Sequence, residues 1–282
     1  MSESVTLPSA FARLSSTEVR LADSVNEADL TALARGEAIA IVVREYCPPA
    51  LCREIVKRLI DDGRYGEYEN VPGVHKWGLN TYEGLSSRER EDRYFADAVP
   101  AVRAMRSTWS PHLSPMDRLR LELQEAWPAG ANLELLDGRR LFVGQARIFE
   151  KDNGAIPHQD FLPWELADLR KSRRSDGTPE LIGQLTSNLY LQTPEEGGQL
   201  ELWPFGYDHE EYDELRLTPD SYGLDRQRLS EPAARIRPEP GMLVLFHASR
   251  LHAVLPSRGS SRIALSCFIG MRGIYEPLTY WS

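Results

Sequence analysis

Two different periodicities run along this 282-residue chain, and the change between them falls near its middle. Before about residue 135 the apolar positions mostly follow a helix. Leu51, Ile55, Val56, Leu59 and Ile60 recur at helical spacing behind Pro48-Pro49, where a missing N–H costs little, and Gly63 is a natural stop. Segments 86–108 and 114–127 share this texture, opened by Ser86-Ser87 and Ser114-Pro115. Residues 28–44 predict a short helix running into an apolar strand over 38–43. The stretch 64–84, with Tyr65, Tyr68, Trp77 and Tyr82 among glycines, reads as loop. Trp77, Asn80, Tyr82 and Glu83 either cover the mouth of a site or pack as an ordinary loop.

From about residue 140 short strand-like runs take over at 141–150, 185–192, 199–203, 241–247 and 262–269, with Gly, Pro and Asn/Asp turns between them. Strands in series without intervening helices predict an antiparallel sandwich or barrel. The acidic stretch 205–239, holding Tyr207, His209, Tyr212 and Tyr222, interrupts them. It is long enough to be a lid or binding loop, or else a solvated excursion. Parity adds one detail. Leu185, Leu189 and Leu191 share one face of a strand, while Thr186, Asn188, Tyr190 and Gln192 share the other. A polar stripe inside an apolar barrel is costly unless it lines a site, so Asn188 and Tyr190 are expected to face a pocket. Gln145 and Arg147 form a similar pair on the preceding strand.

Composition narrows the function. With 41% hydrophobic and 27% charged residues the chain is that of an ordinary globular protein. Its 33 Lys plus Arg against 42 Asp plus Glu leave a net charge of −9, which argues against a general nucleic-acid binder and gives no attraction to anionic membranes. No apolar run reaches the ~20 residues of a membrane span, and the start lacks the basic and apolar parts of a secretory signal. Cys47, Cys52 and Cys267 are odd in number and form no zinc-like double pair. A reducing, cytoplasmic home is expected.

The chemistry centres on Pro157-His158-Gln159-Asp160. In extended chain His158 and Asp160 point to one side, but His-x-Asp alone is a weak signal that a surface turn would also explain. A second imidazole, His252, follows 94 residues after His158, and Arg262 opens a strand ten residues later. Two histidines and one carboxylate on one face of an octahedral ion leave three positions open, the pattern of non-haem Fe(II) oxygenases. His247 competes with His252 as the third ligand, and Arg250 and Arg258 compete with Arg262. His75, His112 and His209 have no partner at ligand spacing, and Cys47 and Cys52 are expected to pack.

At these residues the chain resembles the Fe(II)/2-oxoglutarate-dependent oxygenases, over roughly 140–272. His158, Asp160 and His252 match the family's iron ligands. Arg262 matches the arginine that pairs with the distal carboxylate of 2-oxoglutarate, a task suited to a permanently charged, bidentate guanidinium. Ser266, four residues on, matches a hydroxyl that assists it in prolyl-hydroxylase-like members. Tyr190-Leu191-Gln192 with Gly197-Gly198-Gln199-Leu200 is similar to that branch's Tyr-Leu-Asn…Gly-Gly-x-Leu stretch, Gln192 departing from its Asn; Pro240-Gly241 and the apolar run before His252 are also frequent in the family. The resemblance implies an α+β, mainly β fold: a double-stranded β-helix (jelly-roll, cupin-like) core flanked by N-terminal helices. One domain would span 1–282, with helix-rich support over 1–135 and the core over 140–275, carrying the 205–239 insertion. It also implies Fe(II), 2-oxoglutarate and O2, with succinate and CO2 released. His158, Asp160 and His252 would serve as catalytic metal ligands, and Arg262, Tyr190, Ser266 and Asn188 would hold the co-substrate.

Asp160 fills the position that related halogenases leave open for chloride, so hydroxylation, or desaturation or cyclisation, is expected rather than halogenation. The expected partner is a small molecule, an amino acid or natural-product intermediate, with no nucleic acid or membrane. The acids at 208–214 would favour a cationic one. The rivals are a prolyl hydroxylase acting on protein, a non-catalytic cupin-like binder and, lowest, a zinc hydrolase, which would leave Arg262 unexplained.

Overall fold

The alternating segments of the second half form strands, and these divide between two sheets. The computed structural model describes residues 7–69, 71–170 and 180–282. Eight strands carry the core: β1 (Gln145–Phe149), β2 (Ala155–His158), β3 (Gly183–Gln192), β4 (Leu200–Leu202), β5 (Ala234–Ile236), β6 (Leu243–His247), β7 (His252–Val254) and β8 (Arg262–Met271). Strands β1, β3, β6 and β8 lie in a ten-stranded sheet in the order β6-β3-β8-β1. Strands β2, β4, β5 and β7 make a four-stranded sheet ordered β5-β4-β7-β2. The chain therefore crosses repeatedly from one sheet to the other, and every pairing among the eight is antiparallel.

The sheets pack face to face. Tyr190, Val244, Phe246 and Ala264 of the large sheet meet Leu200, Leu202 and Ile236 of the small one in one buried cluster. The opposite face of the large sheet, with Leu185, Leu189, Leu191, Ile263, Leu265 and Ile269, packs with Leu30, Ile55, Leu59, Trp109 and Leu119 of the N-terminal half. The parity read from the leucines is thus observed. The supporting helices also lie where the periodicity puts them. Pro49–Asp62 begins with proline and ends on Gly63, whose φ of 67° is the left-handed cap that glycine tolerates. Arg88–Trp109 and Pro115–Ala126 are capped by Ser87 and Ser114, whose side chains accept from the backbone N–H of Arg90 and Met116.

Two expectations need correction. The stretch 64–84 is a hairpin, Tyr65–Tyr68 with Val71–Trp77, followed by a short helix at Thr81–Gly84, and the hairpin pairs with β1 at the end of the large sheet. Glycines obscured it. Gly73 has a φ of 75°, and a Cβ there would overlap the Asn153 amide, so the glycine serves a close approach within the strand. Together with Val19–Ala22 and Ala40–Val43, the hairpin makes the N-terminal part a contributor of strands as well as helices. In the second half, helices Leu162–Arg170 and His209–Glu214 lie between core strands that the sequence places in unbroken series. Among the described residues no helix is long and apolar enough to cross a membrane.

Candidate active site

Register between β2 and β7 makes neighbours of residues far apart in the chain. His252 pairs directly with His158, and their ring centroids stand 4.2 Å apart. Asp160 follows β2, its backbone N–H bonded to the Ala248 carbonyl at 2.8 Å, which pins the loop against the turn between β6 and β7. Its Oδ2 lies 3.9 Å from His158 Nε2 and 3.5 Å from His252 Nε2. One ligand atom from each of the three falls within 4.8 Å of the other two, a grouping able to hold a metal ion. Gln159, between them, turns elsewhere. Its amide donates to the Tyr207 carbonyl at 2.7 Å and accepts from the Tyr207 N–H at 3.0 Å, clamping the start of the 205–239 segment.

Both imidazoles are prepared as ligands. His158 Nδ1 lies 2.8 Å from the Ile156 carbonyl and His252 Nδ1 3.0 Å from that of Arg250. A carbonyl only accepts, so each Nδ1 carries the proton and each Nε2 keeps its lone pair. Burial, then the neighbouring His252, pushes His158 down to about 4, so it is neutral at physiological pH. Burial opposes the charge on Asp160, but the two imidazoles, with Arg147 behind them, outweigh it and hold the carboxyl well below its usual range.

A second set faces the triad from the large sheet. Arg262 is buried, its guanidinium 4.9 Å from the Tyr190 ring and 5.0 Å from that of Phe149. Nη2 reaches the Tyr190 hydroxyl at 3.4 Å, and Nε has no partner among the described residues. Ser266 and Asn188 are cross-strand neighbours on the same inner face, both buried. The Gly197-Gly198 pair belongs to the turn that leads from β3 to β4. Gly197 has a φ of 75°, and a Cβ on it would sit 1.9 Å from the Pro256 carbonyl oxygen.

The remaining candidates lie elsewhere. His247 points to the helical side, its Nε2–H donating to the Leu33 carbonyl at 2.7 Å. Arg250 binds the backbone of Ala12 and Ser9, Arg258 is exposed, and His75 pairs with Glu150. Cys47, Cys52 and Cys267 are buried and free.

In front of the triad opens a cleft of about 270 Å³. Asn80, Tyr82 and Glu83 line it, whereas Trp77 is buried behind, its indole N–H bonded to Asp62. From 205–239 come His209, Tyr212, Arg216 and Tyr222. The Tyr222 ring stands edge-on to His158 at 5.5 Å, and its hydroxyl accepts from the Ile156 N–H. That segment therefore forms part of the site wall, held by buried Glu201, which accepts from Arg226 and Arg235. The acids at 208–214 do not line the cleft. Asp208 caps its helix, Asp213 pairs with Arg216, and Glu210, Glu211 and Glu214 are exposed, so these acids are not placed to attract a cationic substrate. Sequence reasoning set His209 aside and gave no role to Arg216 or Trp164. Only Arg147, by its parity with Gln145, carried a signal.

The profile described as the 2OG-Fe(II) oxygenase superfamily matches residues 144–270. The L-γ-glutamyl-L-propargylglycine hydroxylase of Streptantibioticus cattleyicolor is 31% identical over 209 residues, 72% of this chain and 72% of its own. The chain belongs to the 2OG-Fe(II) oxygenase superfamily. It is a 2-oxoglutarate-dependent dioxygenase, with Fe(II) and 2-oxoglutarate as cofactor and co-substrate. Among solved structures, an N-substituted L-amino acid dioxygenase from Burkholderia ambifaria aligns over 99% of this chain and 100% of that one, with a TM-score of 0.58 and 17% identity. The same enzyme in complex with alpha-KG aligns over 91% of each chain, with a TM-score of 0.57 and 19% identity. At such identity the likeness speaks for the fold. The donors fit an oxygenase of this superfamily: two Nε2 lone pairs and a carboxylate converge, and the buried Arg262 guanidinium has an Nε–H without a partner among the described residues.

Proposed function

We propose that this oxygenase hydroxylates an unactivated C–H bond of a small N-acylated amino acid, releasing succinate and CO2. The core would be a double-stranded β-helix made of β1–β8, a reading supported by their alternation between the two sheets. The observation that carries the function is the convergence of the His158, Asp160 and His252 donors beside a cleft of amino-acid size, with His158 and Asp160 in its wall. The substrate class draws on the relative above, which acts on an amino acid whose nitrogen bears a γ-glutamyl group.

Each residue then has a task. His158, Asp160 and His252 would hold Fe(II) by one face, leaving the other for co-substrate and dioxygen. The bound ion and 2-oxoglutarate supply the oxidising chemistry, which no side chain can provide. Arg262 would take the distal carboxylate of 2-oxoglutarate bidentately, with the Tyr190 hydroxyl beside it and Ser266 and Asn188 along the same face. The Phe149 and Tyr190 rings enclose that guanidinium, so its charge acts in a water-poor setting. Asp160 keeps the carboxylate place occupied, which favours oxygen transfer over halogenation. Tyr222 and Tyr212 shield the triad from the side of the insertion.

The test begins without substrate. Anaerobic Fe(II) and 2-oxoglutarate should give the weak visible charge-transfer band of the chelate, absent in the Asp160→Ala, His252→Ala double variant. Succinate release is then compared across γ-glutamyl-L-propargylglycine, N-acetyl-L-norvaline, L-norvaline and a prolyl peptide. Coupled turnover confined to the first two is expected. Turnover with the prolyl peptide alone would move the protein to the peptidyl hydroxylases.

A further inference from the structure

The cleft is lined by several charged side chains, and the structure shows where most of them are neutralised. Glu83 pairs with Lys76 at 2.5 Å, and Arg216 with Asp213 at 2.7 Å. His209 Nδ1 lies 3.3 Å from Asp213, and Asp160 belongs to the triad. Arg147 differs. It stands on the inner face of β1 between Gln145 and Phe149, and its register partner on β8 is Ala264, whose methyl group leaves the space above the sheet open. Asp160 and Glu165, on the same cleft, attract its charge through space, but among the described residues no carboxylate forms an ion pair with it. Its Nε–H reaches the Gln145 amide oxygen at a long 3.4 Å, an oxygen already taken by the Tyr68 hydroxyl at 2.7 Å. Its guanidinium also stands 5.3 Å from the Phe268 ring. Neutral acceptors and a ring face do not satisfy a five-donor cation in a half-buried cleft.

Arg147 and Arg262 thus face the same interior from adjacent strands, neither in an ion pair among the described residues. Arg262 lies behind Phe149 and Tyr190 and does not line the cleft, whereas Arg147 does. Two guanidiniums at two depths call for two carboxylates. The co-substrate occupies the inner one in the reading above, on which this inference rests. We propose that Arg147 is the specificity-determining residue for the prime substrate, gripping its free α-carboxylate so that the rest of the molecule extends along the cleft toward the triad. The substrate must then be an N-acylated amino acid with an uncapped C-terminal carboxylate. Esters, amides and internal peptide residues are rejected, because they offer the fork no anion.

The test uses equilibrium binding under argon to the Fe(II)- and 2-oxoglutarate-loaded enzyme, followed by calorimetry and by perturbation of the visible band. The probes are N-acetyl-L-norvaline, its methyl amide and free L-norvaline, with wild type, Arg147→Met and Arg147→Lys. Removing one partner of a desolvated charge pair costs enough to weaken binding of N-acetyl-L-norvaline by at least about 30-fold in Arg147→Met, with partial recovery in Arg147→Lys. Capping the carboxylate should cost wild type a similar factor and Arg147→Met almost nothing. The affinity for 2-oxoglutarate, read from the same band, stays at the wild-type value and also reports that the variant is folded. Equal binding of acid and methyl amide by wild type overturns the inference and leaves the proposed function standing. A loss of 2-oxoglutarate affinity in Arg147→Met also overturns it, making Arg147 a co-substrate ligand. Tighter binding of free L-norvaline than of its N-acetyl form would instead overturn the N-acylated substrate class, while the carboxylate contrast still judges Arg147.

Discussion

On strand β8, Ile263, Leu265, Cys267 and Ile269 turn outward toward the helical half, while Arg262, Ala264 and Ser266 turn inward toward the second sheet. Burial does not distinguish the two sets, since Leu265 is 0% and Arg262 2% exposed. Their polar groups do. The outer face carries His247 on β6, kept neutral by burial; the Leu33 carbonyl answers its Nε2–H, and its unprotonated Nδ1 has no partner among the described residues. The inner face carries a permanently charged guanidinium, that of Arg262, whose Nε–H has no partner among the described residues. A fold gains nothing from burying an unanswered cation, so the inner face is built for a ligand and the outer face for stability. Residues one step apart in sequence thus serve opposite ends.

Three experiments would break or sharpen that division. The largest effect is expected from Arg262→Gln, which should weaken 2-oxoglutarate binding by about 3 kcal/mol, roughly 150-fold, without lowering thermal stability. Titration of the charge-transfer band alongside a melting curve checks both halves, and a large fall in melting temperature would place Arg262 among the structural residues. Next comes the neighbouring pair Leu265 and Ser266. Leu265→Ala should cost about 3 kcal/mol of folding stability with 2-oxoglutarate affinity intact. Ser266→Ala should do the reverse on a smaller scale, costing about 1 kcal/mol of co-substrate binding. Denaturant titration and band titration of both variants would show whether the readouts cross as the two faces demand.

The smallest effect concerns His247. Burial first, then the charge of Arg250, holds it well below its ordinary value of 6.5, so the folded protein keeps it neutral. Below that value the unfolded chain binds the proton more readily. Its contribution is therefore complete above about pH 6.5 and is lost as the pH falls. His247→Gln retains a donor for the Leu33 carbonyl and should flatten the decline in unfolding midpoint between about pH 7.5 and 5.5. An unchanged slope would assign the acid sensitivity to other groups.

Much of this organisation was legible in the residues because it is local. Periods of two and 3.6 located β3, β8 and the helices Pro49–Asp62 and Pro115–Ala126, and serine and proline marked where those helices begin. The alternation through Asn188 and Tyr190 gave the inner face of β3, and the order of His158, Asp160, His252 and Arg262 named the candidate donors. The hairpin of 65–77 was not legible, since Pro72 and Gly73 sit at an irregularity in the pairing of its second strand and read as loop. The acids at 208–214 also misled, because a run of charge does not say which way its helix faces.

What the sequence determined by itself, then, is the kind of chemistry and the faces of individual strands, both set by residue type and spacing along one segment. What only the tertiary structure decided is which groups meet and which remain unanswered. His158 and His252 become partners through the register of β2 with β7. Glu83 and Arg216 are neutralised by Lys76 and Asp213, while Arg147 faces the cleft with no ion pair among the described residues. Those outcomes depend on distances between segments that are remote in the chain, and Coulomb and hydrogen-bond energies fall off with that distance rather than with separation in sequence.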